Sequence, residues 1–189
     1  MATNTSNHTI PDEGTVEVID GYYVLRFERR FAHPVERVWD ALTRPERITE
    51  WTGEGEVTLD LVEGGRYESR TTGPPDLVDA IIREAGEEAL VQQDTVLRVE
   101  PPLLFERTFG GDPGSIARWE LQHDSEGCRL TLTHTVPPEF DRAHLPRTLG
   151  GWHQLLEQLG DALDGKHVTW RQERWEELRD HYKTKTETA

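Results

Sequence analysis

Between Phe27 and Pro45 the apolar spacing of this chain changes period within a few residues, and this junction limits the available folds more than any other stretch. Tyr23, Leu25, Phe27 and Phe31 share one face of an extended segment. From Pro34 onward the spacing is helical. Val35, Val38, Trp39 and Leu42 fall at i, i+3, i+4 and i+7, a single stripe. Pro34 suits a first helical turn, because its missing N–H has no partner there to lose. Pro45 opens a second short helix in the same way, with Ile48 and Trp51 inward. A strand that runs without a linker into two short consecutive helices is an unusual start for a domain.

The flanking sequence supplies a meander. Residues 16–19 and 22–31 read as strands joined by Asp20-Gly21, a strong two-residue hairpin signal. Val57, Leu59 and Leu61 alternate ahead of Glu63-Gly64-Gly65 and residues 66–70, a second hairpin. Further strands are expected over residues 90–99, 103–109, 116–123 and 128–136, which makes about eight in sequential antiparallel order. A short helix capped by Asp76 and carrying Leu77, Ala80 and Ile81 is expected within an insertion over 71–88. Leu149, Trp152, Leu156, Leu159 and Leu163 form the cleanest stripe in the chain, with Gly165 as a C′ residue. A last amphipathic helix is expected from Thr169, with Trp175, Leu178 and Tyr182 inward. The expected organisation is a disordered tail over 1–15, one domain over 16–166, and a C-terminal helix with a frayed end over 167–189.

Length and composition fit that outline. A chain of 189 residues is the size of one domain with a buried core. The net charge of −15 repels phosphate, which argues against nucleic acid or an anionic membrane as partner. It serves solubility, or it attracts a basic partner. No run approaches the roughly 18 apolar residues that cross a bilayer. The N-terminus has no basic or apolar signal region and there is one cysteine, so the expected location is cytoplasmic.

An antiparallel sheet with one apolar face must bury it, and the only element long enough is the helix over 149–164. A curved sheet around one helix often leaves a gap, the default small-ligand site. Several pieces now carry a family resemblance: the run from Phe31 to Thr43, Trp51, Asp60-Leu61-Val62-Glu63-Gly64-Gly65-Arg66-Tyr67, Val99-Glu100-Pro101-Pro102, Leu130 to His134, and Gly151-Trp152. In this order, over residues 22–164, the chain resembles the START-related (SRPBCC), Bet v 1-like superfamily. More narrowly it resembles bacterial proteins similar to the C-terminal domain of the activator of Hsp90 ATPase. The resemblance implies an α+β helix-grip fold, a curved antiparallel sheet wrapped around a long C-terminal helix with two short helices after the first long strand. It implies no single function, because the superfamily hosts lipid carriers, hormone receptors, cyclases and chaperone activators.

Alternation selects the candidate site residues. Leu130, Leu132, His134 and Val136 share one face of the last strand, so His134 faces the helix with the leucines. There it either serves a ligand or moves a proton, or it is a core histidine bonded to a neighbouring polar group. Phe105 and Phe109 flank Arg107; if it points inward it needs an anion, on the protein or on a ligand. Trp119 faces inward, and Tyr67 adds a polar contact. Trp39, Trp51 and Trp152 are core residues or pocket walls, with Trp51 nearest the mouth. No nucleophile elbow, metal-binding His-Glu-x-x-His, phosphate loop or dinucleotide fingerprint is present, and Cys128 reads as an inert thiol. The expectation is therefore a non-enzymatic protein without cofactor or metal. It would bind a small hydrophobic or aromatic ligand through Trp39, Trp51, Tyr67, Phe105, Arg107, Trp119, Leu132, His134 and Trp152. The alternatives are a chaperone partner of the Hsp90-activator kind, and a cyclase- or hydratase-type enzyme using His134.

Overall fold

The computed structural model describes residues 10–53, 55–72, 79, 82–83 and 86–186. Eight strands form one antiparallel sheet: β1 (Thr15–Ile19), β2 (Tyr22–Phe31), β3 (Glu56–Leu59), β4 (Arg66–Arg70), β5 (Val91–Glu100), β6 (Leu104–Phe109), β7 (Asp112–Asp124) and β8 (Gly127–Val136). Their spatial order is β1-β2-β8-β7-β6-β5-β4-β3. The expected Asp20-Gly21 turn joins β1 to β2, with φ of 52° and 88° at the two residues, the double positive φ of a primed hairpin turn.

Helices α1 (Val35–Thr43) and α2 (Pro45–Thr52) follow β2 directly. Pro34 stands just outside α1 and its carbonyl accepts from the Arg37 and Val38 amides, at 3.0 and 3.3 Å. Pro45 is the first residue of α2, and Gly53 closes that helix in the left-handed conformation. The long helix α3 (Leu145–Leu163) lies across the sheet and buries Leu149, Trp152, Leu156, Leu159 and Leu163. Removing a leucine of this kind from water is worth about 1.5–3 kcal/mol. The facing side of β8 buries Leu130, Leu132, His134 and Val136, so the inferred alternation is the observed one. These elements are the helix-grip fold, an α+β architecture.

The final helix α4 (Gln172–Thr186) packs on α3 through Leu178 and Tyr182. It starts at Gln172 instead of Thr169, and Trp175, expected inward, is half-buried. The helix expected across 76–84 lies mostly outside the described residues; Asp79, Ile82 and Arg83 are helical. Where α3 and α4 cross, a side chain at Gly150 would place its Cβ 2.9 Å from the Arg179 amide nitrogen. Backbone cannot yield as a flexible side chain would. Gly150→Ala is expected to cost about 1–3 kcal/mol by forcing the helices apart, read as a lower urea midpoint.

The start of the described chain is fastened to α4. The Gly14 amide donates to the Tyr182 hydroxyl at 2.8 Å, and that hydroxyl shares a further 2.8 Å hydrogen bond with His153 Nδ1 of α3. The Glu13 carboxylate meets both His181 and Lys185.

Candidate functional site

Strand β6 aims Phe105 and Arg107 at the concave side of the sheet, where both are buried. The anion that Arg107 requires is Asp94 of β5. Arg107 Nη1 donates to Asp94 Oδ2 at 2.5 Å and to the Thr108 carbonyl at 3.2 Å. The carboxylate also accepts from Gln92 Nε2 at 2.6 Å, from the Thr108 hydroxyl at 3.2 Å and from the Gly111 amide at 3.0 Å. The guanidinium carbon lies 3.8 Å from the centroid of the Tyr67 ring, which covers the cation with an aromatic face. Sequence reasoning missed Asp94, although one signal existed: aspartate is depleted in strand interiors, and Asp94 stands inside a β-prone run.

His134 is committed on both sides. The Trp152 indole N–H can only donate, and it does so to His134 Nδ1 at 2.9 Å. The proton of the neutral ring is therefore on Nε2, where it is donated to the Ser115 hydroxyl at 2.8 Å. Burial pushes the histidine down to about 4, and the Arg107 charge adds to that effect, so the ring is neutral at pH 7. Neither nitrogen is left for a substrate. Ser115 escaped notice because the glycine-rich stretch before it reads as a turn, whereas β7 begins at Asp112. Cys128 is buried, and desolvation raises its thiol to about 11, the inert state expected of it.

A cleft lies between the sheet and helices α1, α2 and α3. It is lined by Trp51, Tyr67, Phe105, Arg107, Trp119 and Trp152, together with Leu42, Ile48, Thr52, Phe109 and Leu155. Six of the nine expected site residues therefore converge; Trp39, Leu132 and His134 are buried in the core outside the lining. Phe109 joins through its ring contacts with His134 and Trp152, at centroid distances of 5.0 and 4.8 Å. The gap expected between sheet and helix is mostly filled by these aromatic rings. The open volume is about 50 Å³, enough for one or two water molecules. Trp51 has its indole N–H bonded to the Ala41 carbonyl at 2.9 Å. Trp119 differs: its Nε1 is buried with no hydrogen-bond partner among the described residues. Both hydrogen bonds of Arg107 leave from Nη1, so Nε and Nη2 take part in neither. Among the described residues no group of three His, Cys, Asp or Glu is placed to hold a metal ion. No helix among them is long and apolar enough to cross a membrane.

A curved sheet gripping one long helix over an aromatic cleft defines the class, a helix-grip protein of the START-related, Bet v 1-like kind. The sequence profile of the family described as activator of Hsp90 ATPase homolog 1-like protein matches residues 32–164, and the chain belongs to this family. No curated protein matches the sequence. Among solved structures, a conserved protein of unknown function from Enterococcus faecalis superposes with a TM-score of 0.71 at 15% identity, covering 93% of this chain and 91% of that one. CalU16 from Micromonospora echinospora gives 0.63 at 22% identity, over 93% of this chain and 98% of its own. A Bordetella parapertussis protein solved by NMR gives 0.65 at 28% identity, over 85% and 84%.

Proposed function

We propose that this protein binds a small, largely apolar molecule with a hydrogen-bond-accepting head in the cleft between the sheet and α3. The observation that carries this reading is the unpartnered Trp119 indole N–H beside the half-engaged Arg107 guanidinium, both at a wall of aromatic rings. A buried donor left unmade costs about 1–3 kcal/mol, and such a group calls for an acceptor. A carbonyl or carboxylate would accept from Trp119 and Arg107 while its apolar body lies against Trp51, Phe105 and Trp152. With only about 50 Å³ open, the ligand enters by displacing the cleft edge formed by Ile48, Trp51 and Thr52 of α2. Ligand binding therefore couples to movement of α2, and the site is closed when empty.

The test titrates the protein with a panel of aromatic and aliphatic carboxylates and ketones, followed by thermal shift and by amide NMR. Trp119→Phe removes the unmet donor and keeps one six-membered aromatic ring. Its stability is expected to fall by about 1–3 kcal/mol from the small cavity left, while affinity for a hit falls about tenfold, the worth of one such hydrogen bond. Equal binding by Trp119→Phe, or a cleft that holds only ordered water while no panel member shifts the melting temperature, removes this reading. The chaperone-partner alternative draws its support from the family description and the acidic charge. An unchanged ATP turnover of a bacterial Hsp90 on addition of this protein counts against it.

A further inference from the structure

The cleft between the sheet and the helices presents one cation, and the protein already balances it. Among the described residues that line the cleft, Arg107 is the single arginine, lysine, aspartate or glutamate. The imidazole in contact with this wall, His134, is neutral at pH 7 and has both nitrogens engaged. Asp94 stands behind Arg107, outside the lining, with no exposed side-chain surface. Both of its oxygens are in use: Oδ2 accepts from Arg107 Nη1 and Gln92 Nε2, and Oδ1 from the Thr108 hydroxyl and the Gly111 amide. The countercharge is therefore fixed in place, and the buried pair sums to zero. A site built for a carboxylate keeps the arginine fork open toward the ligand. Here one arm of the fork is turned to Asp94.

What the cleft does offer is hydrogen-bond donors. Trp119 Nε1 is buried without a partner among the described residues, and the Arg107 guanidinium carbon lies 5.6 Å from the centroid of the same side chain's ring. That carbon is also 3.8 and 5.1 Å from the Tyr67 and Phe109 centroids, so aromatic rings already surround the cation. A neutral carbonyl oxygen has two lone pairs and accepts from both donors while adding no charge. A carboxylate brings a negative charge that nothing in the cleft balances. With about 50 Å³ open there is no room for its hydration shell, and an unbalanced buried charge is among the costliest groups to place inside a protein.

We infer, resting on the ligand-binding role proposed for this cleft, that it selects uncharged molecules whose accepting head is a ketone, ester or amide carbonyl, and that Asp94 sets this selectivity by cancelling the charge of Arg107. Asp94 does so without lining the cleft, from the strand behind it. Without Asp94 the same rings and donors would surround a bare cation and favour the carboxylate.

The test compares near-isosteric pairs in which a methyl ketone and a carboxylate sit on the same ring: acetophenone with benzoate, and 2-acetylnaphthalene with 2-naphthoate. Amide NMR titration of the full chain at pH 7 and constant ionic strength measures each affinity. In both pairs the ketone is expected to bind about tenfold or more tightly than the carboxylate. A carboxylate that binds as tightly as its ketone, or more tightly, overturns the selectivity and leaves the cleft as a ligand site. Absence of binding by all four compounds removes the ligand site and the selectivity together. Asp94→Asn deletes the balancing charge and keeps an amide oxygen for the Thr108 hydroxyl and the Gly111 amide. In this variant the order within each pair is expected to reverse, and benzoate to raise the melting temperature more than it does in the parent. A folded variant that keeps the parent's order also overturns the selectivity. The comparison within the parent stands whether or not the variant folds.

Discussion

Asp94→Ala is expected to lower the unfolding free energy by about 3–5 kcal/mol, because it strands a buried guanidinium without its anion. The Asp94 side chain is fully buried, and that of Arg107 is 5% exposed, so bulk water cannot take over the charge. Truncation also removes the acceptor used by Gln92, Thr108 and the Gly111 amide, which adds unmet donors in the same place. For a domain of this size the loss corresponds to a fall in melting temperature of roughly 6–20 °C. Replacing both partners with apolar residues, Asp94→Leu with Arg107→Met, is expected to recover most of that stability, since no uncompensated charge is left. Urea unfolding of the parent, the single variant and the double variant measures the three values. A single variant with the parent's midpoint would show that solvent reaches Arg107 after all.

The second large effect is with pH. His134 is held at about 4 in the folded protein against an ordinary 6.5, so between those values the unfolded chain binds a proton that the folded one refuses. Its contribution is complete above pH 6.5, declines as pH falls toward 4, and is flat below that. The span corresponds to about 3 kcal/mol. A second limb lies lower. Burial alone would raise Glu157, but hydrogen bonds from His153 and Arg174 outweigh it and bring the carboxyl to about 2, from an ordinary 4.5. Stability from that group is therefore lost as pH falls from 4.5 toward 2. Denaturation midpoints measured from pH 7 to pH 3 should show the first limb in the parent and its disappearance in His134→Gln, which still offers Trp152 an acceptor and Ser115 a donor. A slope between pH 6.5 and 4 that is the same in both would assign it to other groups.

What was legible in the chain follows from the range of each signal. The junction at Pro34, the Asp20-Gly21 turn and the α3 stripe are written in spacings of a few residues, and each appears where those spacings put it. The same alternation sent His134 inward and left Arg107 either inward or exposed, and the structure buries both. Their partners were not legible. Asp94 reaches Arg107 across a β5–β6 pairing whose register shifts between Val96 and Arg98, and no local pattern encodes such a shift. His134 meets Trp152 because α3 crosses the sheet at one depth and angle, a property of the whole packing. The size of the cleft depends on how six large side chains interdigitate, and spacing names the residues without giving the space between them.

The bonds that fasten Gly14 to Tyr182 and Glu13 to Lys185 join residues 168 and 172 positions apart. On the ribosome, therefore, β1 waits for α4 before its entry segment can be fixed. The meander and α3 can assemble earlier, since β2 already pairs with β8 and both precede α3 in the chain. A product truncated before Tyr182 leaves the segment around Gly14 unanchored, and a protease would find it there.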